Sequence, residues 1–136
     1  MPEFHKSIFS TVRDLNVYPR GDSSVESDAF AVEDFIKWQS GLKPGSRFFS
    51  FIFLDSVHGY QFPSGEKYEV FKPYWKSVNH MELNNSFDPA PYLARYKNAV
   101  RYTDDLIQEV LGYLNSKNLL DNTIVVISSD LSLIHI

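Results

Sequence analysis

Two runs of consecutive apolar residues and one long amphipathic stretch dominate the hydrophobic pattern. Arg47-Phe48-Phe49-Ser50-Phe51-Ile52-Phe53-Leu54-Asp55 is apolar at nearly every position. The spacing predicts a strand buried on both faces, as in parallel sheets covered by helices. Thr123-Ile124-Val125-Val126-Ile127-Ser128-Ser129 is rich in β-branched residues and predicts a second such strand. Between them, Leu93, Tyr96, Val100, Thr103, Ile107, Val110, Leu111 and Leu114 recur at three- and four-residue intervals. That period predicts a helix over 92–117. Pro89 and Pro91 suit its entry, with Asp88 as an early cap, and Asn115 to Asn118 end it. Strand 47–55, helix 92–117 and strand 123–129 compose a βαβ unit. A right-handed crossover would lay the two strands parallel in one sheet. Both strand exits, at Asp55 and Asp130, then share the edge where open α/β sheets bind ligands.

An earlier helix is predicted over 25–40, with Ala31, Phe35 and Trp38 on one face and Glu33, Asp34 and Lys37 largely opposite. Gly41 and Pro44-Gly45 stop it. Ser56 to Pro91 carries no regular period and is punctuated by Gly59, Pro63, Gly65, Pro73, Pro89 and Pro91. A connection this long is usually functional. Its aromatics, Tyr60, Phe62, Tyr68, Phe71, Tyr74 and Trp75, predict a packed lid. Met1 to Tyr18 is poorly patterned, and Ile8 to Val12 reads as a short strand or a helical turn.

Composition narrows the function classes. The 136 residues suffice for one domain with a core, and 43% are hydrophobic and 22% charged, as in ordinary soluble globular proteins. A net charge of -4 with no basic stripe argues against nucleic acid as a partner. With no cysteine there is neither a disulfide framework nor a thiolate metal site. No apolar run approaches the ~18–20 residues of a membrane span, and Met1 to Ser10 has no signal-peptide core.

The candidate chemistry sits at the strand exits. Asp55-Ser56-Val57-His58 puts a carboxylate and an imidazole after the first apolar run. His58 either donates to an anionic substrate oxygen or leaving group, or caps the loop by bonding backbone. Asp130 ends the second run, where a carboxylate either binds a hard divalent cation or caps a turn. His80 in the long loop either touches substrate or is a surface histidine. Lys72 and Arg95 either meet an anionic group or are solvated or structural. Asp104, near the apolar face by helical count, is expected to hold a structural hydrogen bond. His5 and His135 have no visible partners. There is no Gly-rich phosphate loop, no HExxH and no nucleophile elbow.

Three stretches in order resemble the sulfatase family of the alkaline-phosphatase superfamily. They are Phe48 to Tyr60, an apolar strand followed by Asp-x-x-His; Arg95 to Ile107, like the family's crossover helix; and Leu120 to Asp130, like its Asp-Asn-Thr strand ending in a metal-site aspartate. The resemblance covers about residues 30 to 130. The Phe71-Lys72-Pro73-Tyr74-Trp75-Lys76 stretch leans toward the membrane-anchored, envelope-type members.

This resemblance implies an α/β fold: part of an alkaline-phosphatase-like mixed or parallel sheet flanked by helices, with residues 1–130 a partial catalytic domain. It implies a hydrolase or phospho-head-group transferase that attacks sulfate or phosphate esters, lipid- or glycan-linked, through a covalent intermediate. A divalent cation (Zn, Mn, Ca or Mg) would activate the nucleophile and neutralise the transferred group. His58 aligns with the contact to the transferred group or leaving oxygen. Asp130 aligns with a metal ligand, and Asp55, Lys72 and His80 are substrate or positioning candidates. The implied location is the cell envelope, at the extracytoplasmic face of the inner membrane or in the periplasm, with membrane association through segments outside this chain. A catalytically dead sulfatase-like domain that binds lipid or a partner protein is the alternative. The chain departs from the family in two ways. No nucleophile context precedes Phe48, so the nucleophile is expected upstream and the chain alone is expected to be inactive. After Asp130 the family has His-Gly or Asn-Gly, whereas this chain has Leu131-Ser132-Leu133-Ile134-His135-Ile136, which resembles translated sequencing-adapter read-through and is expected to be foreign.

Overall fold

The computed structural model describes residues 21–77 and 88–129. Helix α1 spans Ser24–Ser40. Ser23 caps it, its side chain accepting from the Glu26 N–H at 3.2 Å, while Glu26 reaches back to accept from the Asp22 N–H at 2.8 Å. The first bond satisfies an N–H group that a helix start leaves open, and the second ties the residue before the cap to the first turn. Gly21, at φ +109°, permits the tight entry: a Cβ there would lie 2.7 Å from the Glu26 Cβ. Gly41 ends the helix, as the sequence predicts.

Helix α2 spans Ala90–Ser116, with Pro89 at its N-cap position and Pro91 in its first turn. Asp88 caps the entry by accepting from the Ala90 N–H at 3.0 Å. A 3-10 turn, Leu120–Asn122, follows.

The helices pack side by side. Tyr102 donates its hydroxyl proton to the Val25 carbonyl at 2.7 Å. Eleven residues on, Tyr113 donates to Gln39 Oε1 at 2.6 Å. Because the earlier residue of α2 meets the start of α1 and the later one its end, the two helices run in the same direction. Val32, Tyr102 and Leu106 form the core, with Val25, Ile36, Leu54, Phe62, Tyr68 and Val110 against them.

Both buried faces match the hydrophobic reading only in part: Phe35 and Leu114 are buried as it places them. In α1 the buried residues are Asp28, Val32, Phe35 and Gln39, whereas Trp38 is exposed. Trp38 packs edge-on against Phe48 at the rim, ring centroids 6.0 Å apart. In α2 the buried set is Tyr92, Ala94, Asn98, Ala99, Tyr102, Leu106 and Leu114, and Val100 is exposed. Asp104 faces solvent; its neighbour Asp105 takes the structural contact, with Lys67 Nζ at 2.7 Å.

The predicted α/β architecture is not what forms. Among the described residues there is no strand and no sheet, so segments 47–55 and 123–129 do not build the βαβ unit. A strand exists by pairing its backbone with a neighbour, and among the described residues neither segment has a ladder. Their side chains are not enclosed either. Phe49 is 80% exposed, Ile124 93% and Val126 80%. Residues 48–54 instead touch the helices on one side only: Phe48, Ile52 and Leu54 are half-buried while Phe49, Phe51 and Phe53 face outward.

The described part of the long connection, 56–77, packs on α2 as its aromatics predict. Tyr60 lies tilted against Tyr92 (5.0 Å) and edge-on to Tyr96 (5.8 Å), Tyr68 meets Tyr102 edge-on (5.3 Å), and Trp75 meets Tyr92 edge-on (5.7 Å). Polar side chains of α2 hold its backbone. Arg95 donates to the carbonyls of Trp75 at 2.6 Å and Lys76 at 2.9 Å, and Arg101 donates to that of Lys67 at 2.9 Å.

Candidate functional site

The chain leaves the helical core at Leu54 and turns sharply over 55–61. The Asp55 carbonyl accepts from the His58 N–H at 3.0 Å, the Val57 carbonyl from Tyr60 at 3.1 Å, and the Ser56 carbonyl from Gln61 at 2.8 Å. Tyr60 closes the turn at φ +50°, a left-handed conformation that non-glycine residues adopt only when the surroundings hold them there. The Tyr60 ring contacts supply that hold, and the Tyr92 hydroxyl donates to the Tyr60 hydroxyl at 2.5 Å. Burial, and then this bond, push the Tyr92 phenol above its ordinary range.

Helix α1 fixes the start of the turn. Asp28 is 2% exposed. Its Oδ1 accepts from the Asp55 N–H at 2.9 Å and its Oδ2 from the Ser56 N–H at 2.8 Å. One helical turn earlier, Ser24 donates its hydroxyl proton to Asp55 Oδ2 at 2.9 Å. Residues four apart share a helix face, so one end of α1 grips both the backbone and the carboxylate of Asp55. His58 stands exposed within the turn.

The other candidates lie elsewhere. Lys72 is exposed and lines a shallow cleft of about 530 Å³ with Glu69, Pro73, Tyr74 and Lys76. Neither Asp55 nor His58 lines that cleft. Arg95 is structural: besides its two carbonyl bonds, its guanidinium lies over the Phe62 ring at 5.4 Å. His80 and Asp130, with His5 and His135, fall outside the described residues.

These residues do not by themselves fit a metal ion. Among the described residues no three His, Asp or Glu side chains gather closely enough to hold one. Asp28 spends both oxygens on backbone N–H groups and Asp55 accepts from Ser24. What the arrangement offers is a tightly built turn that presents an imidazole to solvent.

The hydrophobic reading missed Asp28 and Ser24. Their signal was present: two polar residues at i and i+4, on the face that carries Val32 and Phe35, at the end nearest a tight turn.

A family model described as Sulfatase matches residues 5–131. No curated protein and no solved structure gives a significant match.

Proposed function

The chain belongs to the sulfatase family, and from that premise we propose that it forms part of a metal-dependent hydrolase or phospho-head-group transferase acting on sulfate or phosphate esters through a covalent intermediate. Its sulfatase-like hydrolase character follows from the family match. The finer reading is supported by one observation: the Asp55-x-x-His58 turn is held by side chains of α1 while His58 stays open to solvent. An imidazole so placed can donate to an anionic oxygen of the ester or protonate its leaving oxygen. Asp130 is the residue of this chain assigned to the divalent cation, which supplies charge neutralisation when bound. Lys72, in its separate cleft, and His80 are the remaining substrate candidates. The substrate is a lipid- or glycan-linked ester, and the place of action is the cell envelope. Among the described residues no helix is long and apolar enough to cross a membrane.

The test is turnover of aryl sulfate and aryl phosphate esters by protein containing this chain, with Zn²⁺, Mn²⁺, Ca²⁺ or Mg²⁺ supplied singly. His58→Ala should lower the rate ~10²–10⁴-fold with an unchanged melting temperature. A rate that survives while the melting temperature collapses makes His58 structural. Ester binding without turnover under every metal moves the chain to a binding role.

A further inference from the structure

His58 is exposed and sits within the 55–61 turn, so its place follows the backbone that carries it. Two of the turn's backbone hydrogen bonds end on the carbonyls of Asp55 and Ser56. The Asp55 carbonyl receives the His58 N–H, and the Ser56 carbonyl receives the Gln61 N–H. The N–H groups of those same two residues are the ones that Asp28 holds, one on each carboxylate oxygen.

A carboxylate is the side chain this arrangement demands. Two adjacent N–H donors each meet a separate oxygen of one buried carboxylate, so both are satisfied without sharing an acceptor. Charge-assisted bonds of this kind are stronger than neutral ones. An amide would turn its NH₂ against one of the donors. A buried carboxylate without such bonds would be expensive, so α1 carries Asp28 on its core-facing side only because the turn lies there.

We propose that Asp28 is the positioning residue of the site: it fixes the Asp55–Gln61 turn and through it the place of His58, without touching substrate. The proposal rests on the reading of His58 given above. Ser24 secures the Asp55 carboxylate, a secondary tie that leaves the turn's backbone to Asp28.

The experiment is NMR on the 136-residue chain. In the unaltered chain, couplings across hydrogen bonds should link the Asp55 and Ser56 amide nitrogens to the Asp28 side-chain carboxyl carbon. Their absence overturns the proposal. In Asp28→Asn, exchange of the Asp55 and Ser56 amides should speed up roughly ten- to a hundredfold, and the His58 imidazole signals should shift. Signals of Tyr113, bonded to Gln39 at the other end of α1, and of buried Leu114 should stay in place. Unmoved His58 signals, or loss spread evenly over both helices, would show Asp28 to be an ordinary structural contact. Ser24→Ala should leave the His58 signals where they are; an equal shift there also overturns the assignment. If Asp28→Asn does not fold, the coupling in the unaltered chain decides. The coupling tests this proposal alone, and His58→Ala in the turnover assay tests the functional reading alone, so failure of one is distinct from failure of the other.

Discussion

Asn98 and Phe71 exchange two hydrogen bonds. The Phe71 N–H donates to Asn98 Oδ1 at 2.9 Å, and Asn98 Nδ2 donates back to the Phe71 carbonyl at 3.1 Å. Asn98 is fully buried on α2, and its amide takes the part that a neighbouring backbone would play. Asn98→Ala strips both partners at once and should cost about 2 kcal/mol in urea unfolding. Asn98→Asp keeps the acceptor but points a second oxygen at a carbonyl. Its introduced carboxyl is therefore better off protonated in the folded state, and its folded pKa rises. Stability of that variant should be fuller below about pH 4 and fall as pH rises through the folded pKa. A variant insensitive to pH across that range would contradict the two-way bond.

Tyr102 makes the alkaline limit of the fold predictable. Burial, with the Asp28 carboxylate as the next cause, pushes its phenol from 10.0 up to about 12. A raised folded pKa means that the folded state keeps a proton the unfolded state loses first. The contribution is complete below about pH 10 and is lost as pH rises toward 12. Between those values the unfolding free energy should fall by up to about 1.4 kcal/mol per pH unit for this one proton. Tyr102→Phe removes the titrating group and its bond to the Val25 carbonyl, so the variant should start less stable and show a flatter alkaline slope. Urea melts at pH 9, 10 and 11 measure both; an unchanged slope would mean that Tyr102 does not govern the alkaline loss.

These two residues also show what the sequence revealed and what it hid. The helices were readable because their lengths, periods and stop signals are local: Gly41 ends α1, and Pro89, Pro91 and Asp88 open α2. Which residues face inward was less readable. Asp28, Gln39 and Asn98 are buried because each meets a partner distant in sequence, and hydropathy places such residues outside. The apolar runs misled in the opposite direction. β-branched and aromatic residues favour pairing but do not supply the partner, so Phe49 and Ile124 stand in solvent. The Asp-x-x-His spacing located the turn, whereas the residues that hold it, Asp28 and Ser24, came from the fold.

Ser56 offers a test of the turn's interior. It is completely buried, its N–H is held by Asp28, and its Oγ has no hydrogen-bond partner among the described residues. A buried hydroxyl without a partner costs desolvation and returns nothing. Ser56→Ala should therefore be neutral or raise stability by up to about 1 kcal/mol, because the backbone bonds of the turn stay intact. Ser56→Val adds bulk to a closed space and should lower stability by about 1–3 kcal/mol. Thermal melts of both variants measure the difference, and a marked loss on Ser56→Ala would show that the hydroxyl has a partner.

Ile124 carries the sharpest contrast between the two readings of the apolar runs. In a strand buried on both faces, a lysine at this position would place an unpaired charge in the core and cost several kcal/mol. Here Ile124 is 93% exposed, next to Val126 at 80%. Ile124→Lys should then change stability by less than about 0.5 kcal/mol. It should also reduce self-association, since exposed runs of β-branched residues are ready templates for pairing between chains. Urea unfolding and light scattering on the same samples read the two effects separately. A large loss of stability would mean that residues 123–129 are enclosed after all; unchanged stability with less scattering is the result this fold predicts.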